Sequence, residues 1–527
     1  MKRVWIGLLL FGCAGYFGCA GQPRAPTQVA TDVTDRSEVY TPSSPAAARY
    51  GDVSADRSMS DFRRALAKRV SIDGDGRLDR VAEDLSKLYV EYQRIPTSAI
   101  EFLLQHYGIA EPAPGVVSIR TAAKNLGELA RTVGENLKDA MAQRDPKRYG
   151  AALQTIPGGY AVVVILQENT VRLRPIKKQL NADEIIELRG TLPAGYSAPS
   201  LYRTRPGGAV EQPVLVEAGR EFHAAFECRR GRNQVELTGV GRFGVTVLAN
   251  FPVYCAAAPP SSVALDFGDD DAARSDEEVA RAIFELTNGE RSRVGLDAFL
   301  WSADAARLAL RHSADMRDAD FVGHVSPTTG GPADRTKRAG IRVSLVLENV
   351  ARAPSVKEAH AGLMNSPGHR ANILSDEATH LGVGVRRRSN GELLVTQMFF
   401  RIPKRQDVAE ARAALLRKIA VIRKSQRKPE WKVDETLTAV ASEYARALAR
   451  SRGKAKAPDP PMLLAKQYRS MVTAVEVVGS PNDFVGESVE RRGRAGFGLG
   501  IAQGEHDELG ANVLYVVVLI GVPHARS

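Results

Sequence analysis

The sequence predicts a multidomain protein of the α/β (α+β) class, and three observations lead to this prediction. The chain has 527 residues, more than the ~250–300 residues at which a single hydrophobic core stops growing. One order of elements, two helices followed by a β-hairpin, occurs three times along the chain. Between the first two occurrences, residues 170–257 consist of short alternating runs separated by Gly and Pro.

The first nineteen residues have the features of a bacterial lipoprotein signal peptide. Lys2 and Arg3 precede a short apolar run, and two segments that resemble lipoboxes end at Cys13 and Cys19. We expect Cys19 to carry the lipid, with Cys13 as the alternative and an ordinary secretory signal as the second interpretation. The chain is therefore expected to be exported. Residues 20–55, rich in Pro, Ser, Thr and Ala, are expected to form a flexible linker.

The repeated order of elements spans residues 58–168, 276–402 and 406–523. At the start of the second span, Ser275 and Glu278 predict a capping box ahead of a helix. Each span ends in apolar runs typical of a hairpin. We interpret the three spans as structural copies. The alternative is that this order is simply common in α/β proteins.

The stretch 170–257 is predicted to form an Ig-like β-sandwich, because short strands alternate with turn residues at regular intervals. Cys228 and Cys255 lie near the ends of two of its strands. In an exported protein they can form a disulfide. The alternative is two buried free thiols, because the sequence does not give their Cα separation.

Histidines are concentrated in one part of the chain. Five of the nine lie within residues 312–380: His312, His324, His360, His369 and His380. His324 occurs in FVGHVSP and His369 in MNSPGHRANIL, with Glu348 between them in LENVA. Two imidazoles and a carboxylate can hold zinc, line a pocket for a small ligand, or transfer protons. Spacing alone does not show that the three converge.

The other histidines receive simpler interpretations. His312, on a predicted helix, is expected to be structural, and His360 and His380 to be surface or packing residues. Each of the three central residues also has a structural alternative. His324 can bond the backbone in its loop, His369 can pack in the first turn of a helix that begins at Pro367, and Glu348 can accept backbone N–H groups.

These segments carry a resemblance to a known family. LTNGERSRVGLDAFLWSADAARLALRHSADM, FVGHVSP, ENVA, MNSPGHRANIL and THLGVGV together resemble the bacterial SCP-like branch of the CAP superfamily (cysteine-rich secretory, antigen 5 and pathogenesis-related proteins). The resemblance implies secretion and an α-β-α sandwich over 276–402. The flanking spans, which lack paired histidines, are then degenerate CAP-like domains. It further implies a ligand cleft lined by His324, Glu348, Asn349, Ser366 and His369.

Three positions depart from the family pattern. Leu363 stands where tryptophan is usual, Ser366 where a second glutamate often falls, and Leu347 where glycine usually precedes ENVA. These departures argue against a complete site of two histidines and two glutamates. His324 and His369, with Glu348 as a third ligand, remain the candidates for zinc.

The net charge of +11 is largely local, since residues 401–432 hold eleven Lys/Arg and three Asp/Glu. Such a segment can face anionic lipids or an acidic envelope polymer, or can be a solvated helix surface. Nucleic acid is not an expected partner. DGDGRLD at 73–79 lacks the ligands of a calcium loop, with Ser71 and Ala82 at its first and twelfth positions.

Taken together, these patterns predict an exported, lipid-anchored protein of the cell envelope. Its CAP domain is expected to bind a small apolar or envelope ligand in a cleft lined by His and Glu, with no required cofactor. The alternative is a metal-assisted hydrolase that uses His324, Glu348 and His369 around an activated water.

Overall fold

The computed structural model describes residues 38–51, 60–112, 114–144, 146–168, 171–267, 271, 273–458, 462–490 and 495–524. The predicted signal peptide, with Cys13 and Cys19, lies outside these residues. Among the described helices, none is both long and apolar enough to cross a membrane.

The first α/β unit follows an N-terminal segment that contains the short strands β1 (Val39–Tyr40) and β2 (Arg49–Tyr50). Its elements are α1 (Asp61–Ala67), β3 (Asp73–Gly74), α2 (Gly76–Tyr92), α3 (Thr97–His106), β4 (Gly115–Thr121), α4 (Leu126–Arg144), β5 (Arg148–Ile156) and β6 (Gly159–Gln167). Asp75, from the DGDG segment, is the N-cap of α2, and its carboxylate also accepts hydrogen bonds from Arg77 and Arg148.

A domain built only of strands follows, and we call it the two-sheet domain. Its strands are β7 (Arg172–Leu173), β8 (Ile176–Lys177), β9 (Gln179–Leu180), β10 (Ile185–Thr191), β11 (Ser197–Thr204), β12 (Val210–Glu211), β13 (Leu215–Ala218), β14 (Glu221–Glu227), β15 (Gly231–Gly241) and β16 (Gly244–Cys255). One sheet has the order β13-β14-β10-β7 and the other β12-β11-β15-β16-β9. Ile186 and Phe222 from the first sheet share one core with Val235 and Phe251 from the second. A disulfide joins Cys228 to Cys255, whose Cα atoms lie 5.6 Å apart.

The second and third α/β units follow strand β17 (Val263–Ala264). The second contains α5 (Asp276–Arg293), β18 (Leu300–Trp301), α6 (Ala303–Asp318), α7 (Pro332–Arg338), β19 (Val346–Ala353), α8 (Val356–Asn365), α9 (Pro367–Ile373), β20 (His380–Arg387) and β21 (Leu393–Phe400). The third contains α10 (Val408–Ser425), β22 (Lys432–Val433), α11 (Glu435–Arg450), α12 (Met462–Gln467), β23 (Tyr468–Val478), β24 (Gly496–His506) and β25 (Gly510–Pro523), with short 3-10 turns at Pro481–Asp483 and Glu487–Glu490.

The three α/β units have sheets of the same topology. Their strand orders are β3-β5-β6-β4, β18-β20-β21-β19 and β22-β24-β25-β23. In each sheet the first pair is parallel and the other two pairs are antiparallel. The sequence-based interpretation that the outer units are degenerate copies of the central one stays a prediction, and this shared topology is consistent with it.

Glycines let one helix lie directly on each of these sheets. A Cβ on Gly382 would lie 2.0 Å from the backbone nitrogen of Ala306 in α6. A Cβ on Gly498 would lie 2.2 Å from the carbonyl carbon of Leu437 in α11. A Cβ on Gly150 would lie 2.1 Å from the carbonyl carbon of Leu78 in α2. Since any side chain would push the helix off the sheet, only glycine fits at these positions.

A buried arginine recurs at the end of the first helix in two units. The guanidinium of Arg291 in α5 lies 3.7 Å from the ring centre of Phe299, and that of Arg423 in α10 lies 3.7 Å from Trp431. Nε of each arginine also donates to a backbone carbonyl of the loop that follows its helix, at 2.7 Å for Arg291 and 2.9 Å for Arg423. Arg423 thus has a structural role, although it belongs to the basic segment 401–432.

The described part of the predicted flexible linker, residues 38–51, is packed against the fold. β1 pairs with β17 and β2 pairs with β8. Tyr50 is 1% exposed, and its ring lies 4.7 Å from that of Phe251 in the two-sheet core. The flexible-linker prediction is therefore wrong for this part of the chain. Composition did not reveal that Tyr50 completes the core of a distant domain.

Candidate functional site

His324 lies in the loop after α6, and the two-sheet domain holds this loop in place. The backbone N–H groups of His324 and Val325 both donate to the carbonyl oxygen of Phe243, at 2.9 and 3.1 Å. The imidazole is fully buried, with Nδ1 at 2.9 Å from Oε1 of Glu348. The predicted pair of His324 and Glu348 is thus in direct contact.

Glu348 is an ionised carboxylate inside the protein. Burial raises the pKa of its carboxyl, but Arg335, followed by His312 and His324, lowers it more, and the pKa is about 2. The Arg335 guanidinium donates to Oε2 while His324 bonds Oε1. An ionised carboxylate can only accept, so Nδ1 of His324 carries the proton. Its Nε2 has no hydrogen-bond partner among the residues that the structure describes.

His312 belongs to the same cluster, although the sequence suggested only a structural role. Its Nε2 donates to the carbonyl oxygen of Gly323 at 2.8 Å and lies 4.0 Å from Oε1 of Glu348. Burial lowers the pKa of His312 to about 4, despite the opposing effect of Glu348. The ring is therefore neutral at pH 7 and supports the His324 loop.

His369 lies in the first turn of α9, where Ser366 and Pro367 predicted it. Its side chain is fully buried, and its backbone oxygen accepts from the side chain of Asn349 at 3.2 Å. Asn349 also donates to Gln397 at 2.9 Å and accepts from Asn372 at 2.8 Å. The side chain of Asn349 therefore connects strand β19, which carries Glu348, to helix α9, which carries His369.

Ser366 is at the N-cap position of α9, but its hydroxyl does not cap the helix. It donates instead to Oε2 of Glu236 on strand β15 at 2.5 Å, and the N–H of Gly368 donates to Oε1 at 3.0 Å. Glu236 is fully buried. Burial raises its pKa to about 7, although the bonds from Ser366 and Gly368 lower it in part.

The hairpin of β15 and β16 covers this cluster. Its tip residue Phe243 stacks on Phe321, with ring centres 5.3 Å apart, and a Cβ on Gly323 would lie 2.7 Å from the Cβ of Phe243. All five predicted cleft residues are fully buried: His324, Glu348, Asn349, Ser366 and His369. A ligand can contact their side chains only if the protein around them moves.

The residues partly fit a metal site. His324 presents a nitrogen lone pair and is oriented by a carboxylate, as metal-binding histidines usually are. Both oxygens of Glu348 are already bonded, so in this arrangement it orients His324 and does not fit as a third ligand. No group of three or more His, Cys, Asp or Glu in the described ranges is arranged to hold a metal. Zinc at His324 and His369 stays a prediction.

An apolar groove of about 570 Å³ runs beside the polar cluster. Leu296, Leu345, Leu347 and Leu374 line it on one side, and Val210 of the two-sheet domain lines it on the other. Asn372, also in its wall, donates to the backbone oxygen of Glu348 at 3.2 Å. The groove therefore lies against the backbone that carries Glu348.

Residues 284–399 match the family model of CAP, the cysteine-rich secretory protein family. The chain contains a CAP domain. Two curated relatives from Bacillus subtilis (strain 168) align with the chain. Uncharacterized protein YkwD is 39% identical over 105 residues, which are 20% of this chain and 41% of that protein. Uncharacterized membrane protein YlbC is 36% identical over 112 residues, 20% of this chain and 32% of that protein. The chain thus spans less than half of either relative.

Two solved structures resemble the chain more weakly. An extracellular protein containing an SCP domain from Bacillus anthracis has 20% identity and a TM-score of 0.23, covering 51% of this chain and 92% of that one. A cysteine-rich secretory protein from Staphylococcus aureus has 11% identity and a TM-score of 0.22, covering 50% and 90%.

Sequence reasoning missed three residues of the cluster around His324 and Glu348 in the CAP domain. Arg335 pairs with Glu348, Phe243 binds the His324 loop, and Glu236 binds the start of α9. Arg335 lies between two recognised motifs but has no motif of its own. Glu236 and Phe243 come from another domain, and nothing local in the sequence marks them.

Proposed function

We propose that this protein is exported to the cell envelope and that its CAP domain binds a small apolar ligand in the groove beside the Glu348 cluster. The observation that carries this proposal is the lining of leucine and valine over a volume typical of ligand sites. Two of the predicted cleft residues contribute indirectly, because Asn372 in the groove wall donates to the backbone oxygen of Glu348 and to the side-chain oxygen of Asn349. The Bacillus anthracis protein described as extracellular is consistent with export.

A neutral apolar dye, N-phenyl-1-naphthylamine, tests the groove. In the Leu296→Gln variant we expect about tenfold weaker binding or more, because an amide replaces apolar surface worth ~1.5–3 kcal/mol when buried. Leu286→Gln is the matched control, since Leu286 is 39% exposed on α5 and does not line the groove. Equal dye affinity in the wild type and in Leu296→Gln would rule out this groove.

A metal-assisted hydrolase is the second candidate, and the orientation of His324 favours it. The ionised Glu348 holds the proton on Nδ1, which leaves Nε2 of His324 as a metal-binding nitrogen. Bound zinc would supply a Lewis acid and a water of lowered pKa. His369, on the neighbouring helix, is the expected second ligand. The covering hairpin would have to open before a substrate could reach them.

Zinc content after purification distinguishes this candidate from ligand binding alone. If the site holds zinc, the wild type should contain about one equivalent, and His324→Ala should lose it with the fold retained. Gly323 and the hairpin still hold the loop in that variant, so folding is expected to survive. A wild type that takes up no zinc from a zinc-supplemented buffer would remove the hydrolase candidate and leave the apolar groove.

We further propose a lipid anchor at Cys19, with Cys13 as the alternative, that places the chain at a membrane surface. The outer α/β units then serve as degenerate, structural or interaction modules. The basic segment 401–432 includes exposed side chains such as Lys404 and Lys424, which can face anionic lipid or an acidic envelope polymer.

A further inference from the structure

A second cavity lies outside the CAP domain, where three parts of the chain meet. It has a volume of about 430 Å³ and is bounded by the N-terminal segment 46–50, helix α3 and the two-sheet domain. Phe102, Tyr254 and Tyr50 provide aromatic walls. Its size and its lining are those of a site for a small molecule with an apolar body.

Lys178 supplies a buried amine to the wall of this cavity. The residue is 4% exposed, and its Nζ donates to the backbone oxygen of His106 at 2.6 Å. Backbone bonds fix it on both sides, from its N–H to Ala48 at 3.0 Å and from Tyr254 to its carbonyl oxygen at 2.8 Å. The amine is therefore held at the cavity and is not free to extend into solvent.

Among the residues that the structure describes, Lys178 has an aromatic ring but no carboxylate beside its amine, with Nζ 5.1 Å from the ring centre of Tyr50. In the described ranges, the hydrogen bond of Nζ goes to the neutral carbonyl oxygen of His106, and no Asp or Glu lines the cavity. Arg49 and Lys177, both exposed, add further positive charge at the cavity. Burial lowers the pKa of Lys178 to about 7, as expected for an ammonium group without a counter-ion. Burial lowers the pKa of His106 as well, which favours its neutral form.

We propose that this cavity binds a small organic carboxylate, with its carboxylate on Nζ of Lys178 and its apolar body against Phe102 and Tyr254. A carboxylate is favoured over a neutral ligand because its negative charge would stabilise the ammonium form of Lys178, which burial disfavours. The apolar body is favoured because the ring of Phe102 and the ring face of Tyr254 offer it apolar contact. This site is independent of the CAP groove and of its proposed ligand.

Titration calorimetry on the full chain tests the proposal, with 4-phenylbutyrate as the probe and 4-phenylbutanamide as its neutral counterpart. The wild type should bind the acid about tenfold more tightly than the amide, or more. Lys178→Met should remove this preference, because methionine keeps the apolar stem and removes the charge. Lys177→Met, at the exposed neighbouring residue, is the matched control and should keep most of it.

A second variant, Ala48→Trp, tests the location without touching the charge. Ala48 is exposed and lines the cavity, so an indole there should fill the cavity and abolish binding of the acid. The proposal is overturned if the wild type binds acid and amide equally or binds neither. It is also overturned if Lys178→Met or Ala48→Trp, with an unchanged melting profile, binds the acid as the wild type does.

Discussion

Replacing Glu236 by glutamine tests the buried contact between the two-sheet domain and the CAP domain. The carboxylate of Glu236 accepts from Ser366 at 2.5 Å and from the N–H of Gly368 at 3.0 Å. A glutamine oxygen can still accept from Gly368, and its NH₂ can donate to the Ser366 hydroxyl, which both donates and accepts. Glu236→Gln therefore removes a buried charge and keeps both hydrogen bonds.

The size of the effect follows from the pKa of Glu236. Burial raises this pKa from 4.5 to about 7. At ~1.36 kcal/mol per pKa unit, ionisation of Glu236 in the folded protein lowers the free energy of unfolding by roughly 3 kcal/mol. Because the folded-state pKa is raised, this stability is fully present below about pH 4.5 and is lost as the pH rises through about 7. The glutamine in Glu236→Gln cannot ionise, so the free energy of unfolding of this variant should not fall over this pH range.

Urea denaturation followed by tryptophan fluorescence, at several pH values from 5 to 8.5, measures the difference. The variant should have a higher midpoint than the wild type above pH 7, and the difference between the midpoints should shrink as the pH falls towards 4.5. Glu217→Gln, at an exposed position in the same domain, is the control and should leave the profile unchanged. Parallel profiles for the wild type and Glu236→Gln would refute the reasoning.

Three further outcomes are expected. Arg335→Met should destabilise the CAP domain by ~3–5 kcal/mol in urea, because it removes the cation that pairs with the buried carboxylate of Glu348. A loss below ~1 kcal/mol would contradict this. Replacing both Cys228 and Cys255 by alanine should lower the free energy of unfolding by about 3–4 kcal/mol, because the disulfide restricts the unfolded chain over a separation of 27 residues. An unchanged melting temperature would argue against this. Cys19→Ser should abolish incorporation of labelled fatty acid in cells, whereas retained labelling would place the lipid at Cys13.

Local patterns in the sequence predicted local structure well. The capping box of Ser275 and Glu278 is present at the start of α5. His369 lies in the first turn of the helix that begins at Pro367. Both predictions rest on contacts within four residues of one another, where backbone geometry alone determines which groups meet.

Contacts between distant residues were not predictable in this way. Glu236 and Ser366 are 130 residues apart, and nothing in the alternating strand around Glu236 distinguishes it from a surface residue. The same holds for Tyr50, which a linker-like composition concealed. His312 was assigned a structural role, and its position 4.0 Å from Glu348 depends on how α6 lies on the sheet. Contacts of this kind depend on how the domains pack against each other. The spacing of motifs along the sequence carries no information about that packing.

Main-chain hydrogen bonds connect the hairpin tip to the His324 loop. Two amides share one carbonyl oxygen, that of Phe243, so changing the side chains of residues 324 or 325 leaves these hydrogen bonds in place. Lengthening the turn of the β15–β16 hairpin or the His324 loop by a single residue would instead shift the amides away from the oxygen. Loop length in one domain is therefore matched to loop length in the other, and we expect the two domains to tolerate exchange between relatives only as a joined pair.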